Sequence, residues 1–395
     1  VTGVQTCALP ISPTYFAFGR GRENEVGDLV KRFGGTRVLI HYGGGSAERS
    51  GLLSRIRASL EESGIAYKEL GGVKPNPRSG LVYEGIDLVR KEGIDMILAV
   101  GGGSTIDSSK AIAAGALYDG DFWDFYSGKR IERALPVGTV LTIAAAGSEG
   151  SPDSVITKEE GMLKRGASGN ALRPKFSILN PALTETLPPY QTAAGATDII
   201  AHLYERYLTN TKEVEVTDRL IEALLLTMKK EAPRVIADPH NYDARANIMW
   251  AGMMAHNNAV GVGRTQDWNS HNIEHELSAL YDCAHGAGLA VTMPAVFKYV
   301  MKHDVMRFAK VAVRVWGCDM DFDCPETTAL AGINALQNFL VSLGMPKTLG
   351  DLGAKEADIP KLVDVLCNGN GRTGAISGFV RLTEEDCTNI YKMML

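Results

Sequence analysis

In the first half of the chain a short apolar run twice gives way to a glycine-rich turn and then to a helical pattern. Val38 to His41 leads into Gly43-Gly44-Gly45-Ser46 and an amphipathic segment from Leu52 to Ser63. Asp95 to Val100 leads into Gly101-Gly102-Gly103-Ser104 and an alanine-rich helix expected over about Ser108 to Ala116. A third run, Val137 to Ile143, ends in Ala146-Gly147-Ser148-Glu149. Strands that alternate with helices in this way predict an open parallel sheet covered by helices. Beyond Pro188-Pro189 the strand signal fades, and helical periodicities such as Val216 to Lys230 and Ala244 to Asn258 replace it. The expected organisation is an α/β domain over residues 12–188 and a helical domain over 189–395. A chain of 395 residues with 45% apolar content is long enough for two cores.

The formal net charge of -5 and the absence of a basic run leave no electrostatic footprint for nucleic acid or for an anionic membrane surface, so small molecules are the expected partners. No apolar stretch approaches the roughly 18 residues that span a bilayer. The six cysteines, Cys7, Cys283, Cys318, Cys324, Cys367 and Cys387, form no Cys-x-x-Cys pair, which fits a reducing, cytoplasmic setting. The first eleven residues, VTGVQTCALPI, have neither the basic leader nor the apolar core of a secretion signal. They are similar to the translation of a sequencing-library adapter, so residues 1–11 are expected to be a non-native leader in which Cys7 carries no role.

Glycines after a strand let a pyrophosphate lie against backbone N–H groups that a Cβ would hold away, while the following helix turns its positive end to the anion. Gly101 to Ser104 suits that task, although such turns also serve packing. The Gly-x-Gly-x-x-Gly fingerprint is not present, so an ordinary Rossmann dehydrogenase is not implied. At Gly43 to Ser46 the turn offers His41, Tyr42, glycines and Ser46 but no acid. Sites that hold the free ribose hydroxyls of NAD place a carboxylate at such a strand end. Without one, the turn has room for a 2'-phosphate, with Ser46 and nearby amides as donors.

The second half carries two pairs at helical i, i+4 spacing, Asp198 with His202 and His271 with His275, followed by His285 ahead of Gly286-Ala287-Gly288. A single helical histidine is more often a core or surface residue than a ligand. Here Asp198 lies in an otherwise apolar stretch, Ala193 to His202, where a carboxylate is costly to bury without a cation. His202 faces the same way one turn later. Asp282-Cys283-Ala284 is expected to break the helix so that His285 opens the next one. Four of these five residues could close on one divalent ion, and the set suits zinc, iron(II) or nickel.

GGGSTIDSSKAIA at 101–113, AAAGSE at 144–149, the GATD run ending at His202, and DWNSHNIEHELSALYDCAHGAGLAV at 267–291 together resemble the iron-containing alcohol dehydrogenase family, in particular its butanol-dehydrogenase-like branch. The match runs from about Tyr15 to the C-terminus. The resemblance implies an α/β dinucleotide-binding domain followed by an all-helical domain, the two-domain plan shared with dehydroquinate synthase. It implies Fe2+ or Zn2+ on Asp198, His202, His271 and His285, with His275 near substrate and nicotinamide. It also implies NADP(H), with NAD(H) as the other possibility. By the same resemblance Gly43, Gly44 and Ser46 face the adenosine phosphate, and Gly101, Gly102 and Ser104 the pyrophosphate. Thr142 and Leu187 flank the nicotinamide, and Lys164 reaches phosphate or ribose, although it reads as part of a polar loop where a lysine is ordinarily solvated. The expected activity is hydride transfer between the coenzyme and small primary alcohols or aldehydes, by a cytoplasmic homodimer. Alternatives are an NAD-linked polyol dehydrogenase and a dehydroquinate-synthase-like lyase. The lyase needs lysines and arginines for a phosphorylated substrate, and residues 267–291 contain neither. The chain departs from many relatives in reading Ala-Ala-Gly-Ser-Glu at 145–149 and Pro152-Asp153 after it. Trp268, Phe297 and Met254 are candidates to line the substrate pocket.

Overall fold

The computed structural model describes residues 13–369 and 372–395, and the expected leader at 1–11, with Cys7, lies outside the described residues. The chain divides into two compact units, one running to Leu187 and including His240–Ala259, the other containing Pro188–Pro239 and Val260–Leu395.

The first unit is built on a six-stranded sheet in the order β1-β8-β5-β4-β2-β3. Its strands are β1 (Tyr15–Phe18), β2 (Arg37–Gly43), β3 (Ala66–Val73), β4 (Met96–Gly101), β5 (Val137–Leu141) and β8 (Phe176–Leu179). Every neighbouring pair is parallel. Between β5 and β8 the chain forms an antiparallel hairpin of β6 (Asp153–Lys158) and β7 (Leu163–Ser168). The helices of this unit are α1 (Val26–Arg32), α2 (Ser46–Arg49), α3 (Leu52–Glu62), α4 (Ser79–Glu92), α5 (Gly103–Ala116) and α6 (Trp123–Tyr126), joined by α9 (Tyr242–His256) from later in the chain.

Residue alternation along the strands feeds two cores, one on each face of the sheet. Leu39 and Ile97 join Val82, Ile86 and Ile112 in one cluster. Val38, Ile40, Leu98 and Val100 join Leu53, Ile56 and Leu60 in the other. Each such fully buried side chain contributes roughly 1.5–3 kcal/mol. Strands β4 and β5 are buried along their whole length, as central parallel strands must be. In this order β2 has β3 on one side and β4 on the other. The direction of winding therefore reverses between β2 and β4, and the crevice at such a reversal is where open α/β sheets take ligands. Both glycine turns leave the strands there, after Gly43 and Gly101. Helix α5 starts at Gly103, more than a turn before the expected Ser108, and β5 ends at Leu141 rather than Ile143.

The second unit is helical: α7 (Pro189–Tyr207), α8 (Glu215–Ala237), α10 (Asn269–Tyr281), α11 (His285–Val300), α12 (Val305–Val311), α13 (Pro325–Ser342), α14 (Ile359–Asn368) and α15 (Glu384–Lys392), with a small ladder of β9 (Ala375–Ile376) and β10 (Leu382–Thr383). Pro189 opens α7, where its missing N–H removes no helical bond. Helix α10 stops at Asp282, which takes a left-handed conformation with φ 51°, and α11 begins at His285. A Cβ on Gly286 would stand 1.9 Å from the Ala194 carbonyl oxygen, so α11 meets α7 backbone to side-chain-less backbone. No helix among the described residues is long and apolar enough to cross a membrane.

Candidate metal centre and coenzyme turns

Helix α7 presents Asp198, His202 and Glu205 at i, i+4 and i+7, one above the other on a single buried face. Helix α10 contributes His271, Glu274 and His275, and α11 contributes His285 at its first turn. The arrangement is centred on Asp198. Its Oδ1 lies 3.6 Å from His202 Nδ1, 3.7 Å from His271 Nε2 and 3.7 Å from His285 Nε2. The His202 and His271 rings stack with centroids 4.7 Å apart, and His271 and His285 stand 5.3 Å apart. The close passage of α11 over Ala194, one turn before Asp198, brings His285 to the same carboxylate.

Two of the imidazoles are held from behind. His271 Nδ1 donates to Glu205 Oε1 at 3.0 Å, and the same oxygen accepts the His271 backbone N–H at 3.1 Å. His285 Nδ1 makes a short contact with Glu274 Oε2. In each case a carboxylate on the outer nitrogen fixes the ring and leaves Nε2 turned inward, the pattern of a ligating histidine. Burial pushes the His271 imidazolium down, but the nearby carboxylates of Asp198 and Glu205 outweigh it and raise its pKa to about 9. Asp198, Glu205 and Glu274 are all buried. Three buried carboxylates around three imidazoles create a pocket that favours positive charge.

These residues fit a divalent ion. The three distances of 3.6–3.7 Å from Asp198 Oδ1 match edges of a tetrahedron whose centre is about 2.2 Å from each corner, the range of nitrogen and oxygen ligation. His271 Nε2 is buried and has no hydrogen-bond partner among the described residues. Donor atoms of Asp198, His202 and His271 lie within 4.8 Å of one another, and those of Glu274, His275 and His285 form a second such group. His275 is half-buried, its ring 6.4 Å from that of His271 and 5.6 Å from that of His285. Trp268 stands beside the imidazoles, 5.2 Å from His271 and 6.1 Å from His202 between centroids. Phe297 is instead core, packed between Tyr204 and Phe308.

Sequence reasoning missed Glu205 and Glu274. A signal was available. Glu205 continues the Asp198-His202 face by one more turn, and Glu274 follows His271 by three residues.

In the α/β unit, Gly43 ends β2, Gly44 follows it and Ser46 opens α2. Gly101 ends β4, Gly102 is the N-cap of α5 and Ser104 lies in its first turn. No side chain caps α5. Its first-turn amides thus receive no side-chain acceptor from the N-cap, which fits an anion at that end. Thr142 N–H donates to Gly101 O at 3.0 Å, so the loop after β5 lies directly beside the turn. A Cβ on Gly102 would come within 2.0 Å of Ile143 Cγ2, so this glycine is also required by packing. Leu187 is half-buried, its N–H bonded to Thr184 O at 3.2 Å.

Three expectations change here. Lys164 is not in a solvated loop: it is a buried residue of β7, and its Nζ donates to Asn76 Oδ1 at 2.9 Å. His41 is not offered at the first turn. It is fully buried between Leu70 O (2.8 Å) and Ser108 Oγ (2.9 Å), and burial lowers its pKa to about 4. Nor is the turn remote from acids, since Glu69 of β3 bonds Tyr42, and Glu48 lies in α2. Arg57 binds both carboxylates, each at 2.8 Å, and offsets their charge.

Residues 13–181 match the family model of iron-containing alcohol dehydrogenase, and residues 192–395 match that of the C-terminal part of the same family. The chain belongs to the iron-containing alcohol dehydrogenase family. It is 39% identical to NADH-dependent butanol dehydrogenase A of Clostridium acetobutylicum, over 96% of this chain and 97% of that one. It is 36% identical to the NADPH-dependent aldehyde reductase YqhD of Escherichia coli, over 90% and 91% of the two chains. A crystal structure of NADH-dependent butanol dehydrogenase A from Thermotoga maritima superposes with a TM-score of 0.94 at 40% identity, covering 98% of each chain. This iron-containing alcohol dehydrogenase is thus an oxidoreductase with a nicotinamide coenzyme and a metal, and its family model spans both units.

Proposed function

We propose that the protein interconverts small primary alcohols and aldehydes, of the butanol and butanal type, using NADP(H) and one divalent metal, Fe2+ or Zn2+. The observation that carries this reading is the donor set gathered at 3.6–3.7 Å around Asp198 Oδ1. Asp198, His202, His271 and His285 would hold the ion, which when bound supplies Lewis-acid polarisation of the substrate C–O bond.

The chain's own residues do the rest. Glu205 and Glu274 orient the His271 and His285 rings and keep their inner nitrogens aimed at Asp198. His275, half-buried and beside both rings, is placed to carry the hydroxyl proton between substrate and solvent, a task suited to an imidazole near neutrality. Trp268 gives the imidazole cluster an apolar wall. In the α/β unit, Gly101, Gly102 and Ser104 receive the pyrophosphate at the uncapped end of α5, Thr142 and Leu187 bound the nicotinamide, and Lys164, steadied by Asn76, reaches phosphate or ribose. Gly43, Gly44 and Ser46 take the 2'-phosphate, and Arg57 offsets Glu48 and Glu69 nearby.

A second reading, NAD(H) as the preferred coenzyme, is favoured by the names of the relatives near 40% identity, which are NADH-dependent or probable NADH-dependent butanol dehydrogenases. An NAD-linked polyol dehydrogenase is supported less, the 1,3-propanediol dehydrogenase of Citrobacter freundii being 30% identical. The reading extends to a cytoplasmic homodimer, with β1, the last strand of the sheet, as the place where a second copy would add. The deciding experiment strips the protein with a chelator, refills it separately with iron(II) and zinc, and follows oxidation of NADPH and NADH by butanal. Metal-restored activity favouring NADPH is expected. Restored activity favouring NADH would keep the enzyme and discard the 2'-phosphate site, and activity with neither would overturn the proposal.

A further inference from the structure

Helix α5 carries a second feature, two turns below its glycine end. Lys110 is fully buried, and its ammonium is surrounded by oxygen: Ser148 O at 2.7 Å, Ser148 Oγ at 2.8 Å, Ser151 O at 3.0 Å, Ser151 Oγ at 3.4 Å and Asp153 O at 2.7 Å. All belong to the segment that links the loop after β5 to the hairpin. One turn earlier, Asp107 accepts from Ser148 Oγ and from Val155 N–H at 2.9 Å, and its carbonyl accepts from Ser154 Oγ at 2.9 Å. Burial draws Lys110 down to about 8, while Asp107, Asp153 and Glu149 act to keep it charged and Arg173 opposes them.

So many oxygens around one buried nitrogen exceed what a packing lysine needs. Three main-chain carbonyls converge on a single cation, as they would on a bound monovalent ion, and the cation is tethered to the helix whose first turn holds Gly103 and Ser104. The same loop touches that turn at its other end, where Thr142 N–H bonds Gly101 O and Ile143 covers Gly102. We propose that Lys110, with Asp107, is a positioning residue for coenzyme binding: it clamps residues 148–153 to α5 and so sets the loop that bounds the nicotinamide against the turn that takes the pyrophosphate. This rests on the coenzyme reading above, and it adds that the two ends of the coenzyme site are held in register by one helix.

The test uses the full, metal-loaded chain and the dissociation constants of NADPH and NADH read from their fluorescence. Lys110→Ala is expected to weaken the better-bound coenzyme about tenfold or more, and to keep the metal content of the wild type because no metal ligand is touched. Adding methylammonium or ammonium is expected to restore most of that affinity by refilling the carbonyl cage. Tetramethylammonium, which has no N–H to donate, is expected to restore none. A merely structural lysine would not give an amine-dependent recovery of coenzyme affinity. Should Lys110→Ala fail to fold, Ser148→Ala removes one oxygen of the cage and is expected to weaken the coenzyme two- to fivefold. An unchanged constant in whichever variant folds, or a loss in Lys110→Ala that no amine repairs, overturns the clamp and leaves the coenzyme reading intact. A wild-type chain that binds neither coenzyme takes down both.

Discussion

The imidazole pocket of the helical unit and the glycine turns of the α/β unit are built by opposite means. In the pocket, side chains from α7, α10 and α11 converge on one carboxylate, and two of them are fixed from behind by a second carboxylate. In the turns there is little side chain to converge: Gly43, Gly44, Gly101 and Gly102 leave backbone amides, with open space at Gly44 and close packing at Gly101 and Gly102. A pocket of side chains is vulnerable at every residue that contributes an atom. A turn of backbone is vulnerable only where an added Cβ would collide or where something distant sets its position.

Substitution at the ligands is where the contrast is widest. His271→Ala is expected to lose the metal, its content by atomic emission falling from about one ion per chain to near none, with activity lost along with it. His275→Ala is expected to retain metal and coenzyme while kcat falls on the order of 10²–10⁴-fold, the usual size of a proton-transfer contribution. A His275→Ala enzyme of undiminished kcat would remove the relay. Next come the backing carboxylates: Glu205→Gln or Glu274→Gln is expected to weaken metal binding by about 10–100-fold in a chelator competition. Wild-type affinity in both would mean that the rings are held by packing alone.

The glycines sharpen the comparison from the other side. Gly286→Ala places a methyl where only 1.9 Å separates the ideal Cβ from the Ala194 carbonyl oxygen, so α11 must shift. A loss of roughly 1–3 kcal/mol in stability is expected, with weaker metal retention because His285 moves with the helix. At Gly44 nothing lies within 4 Å of the added Cβ. Gly44→Ala is expected to leave thermal stability within about 0.5 kcal/mol while raising KM for NADPH. Equal stability losses in the two variants would erase the distinction.

The smallest effect concerns a carboxylate of the α/β unit that backs no imidazole. Burial raises Glu149 from 4.5 to about 7. The folded chain therefore binds more protons than the unfolded one between those values, and this group's contribution to stability is full below pH 4.5 and lost as pH rises through 7. Glu149→Gln is expected to melt a few degrees higher than wild type at about pH 8, and the advantage should vanish near pH 4.5. A pH-independent difference would show that the carboxylate is not buried as a charge.

Particular residues show why parts of this molecule were readable in advance. His271 and His275, four apart in a segment with its own helical pattern, announce a shared face, and Asp198 in an apolar stretch announces a cation. Glu205 and Glu274 stand at helical spacings from these residues, but glutamates are ordinary on helices, and only the fold reveals that these two are buried. Strand β3 was obscured by Gly71-Gly72 within its span, and β8 by being four residues long. Helix α5 begins among residues of weak helix propensity, Gly103, Ser104 and Thr105, where the packing of the loop after β5 decides the matter instead. Glu69, near the first turn, was hidden because it belongs to the neighbouring strand, and strand neighbours cannot be read from local sequence.

Helix α7 places Asp198, His202 and Glu205 within two turns, and that spacing works as a ruler with one permissible setting. Adding or deleting a single residue between Asp198 and Glu205 would rotate one end against the other by about 100° and shift it by about 1.5 Å. The carboxylate, the imidazole and the backing glutamate would then point to different sides of the bundle, although each would still be present. Drift in length between these residues therefore cannot be tolerated.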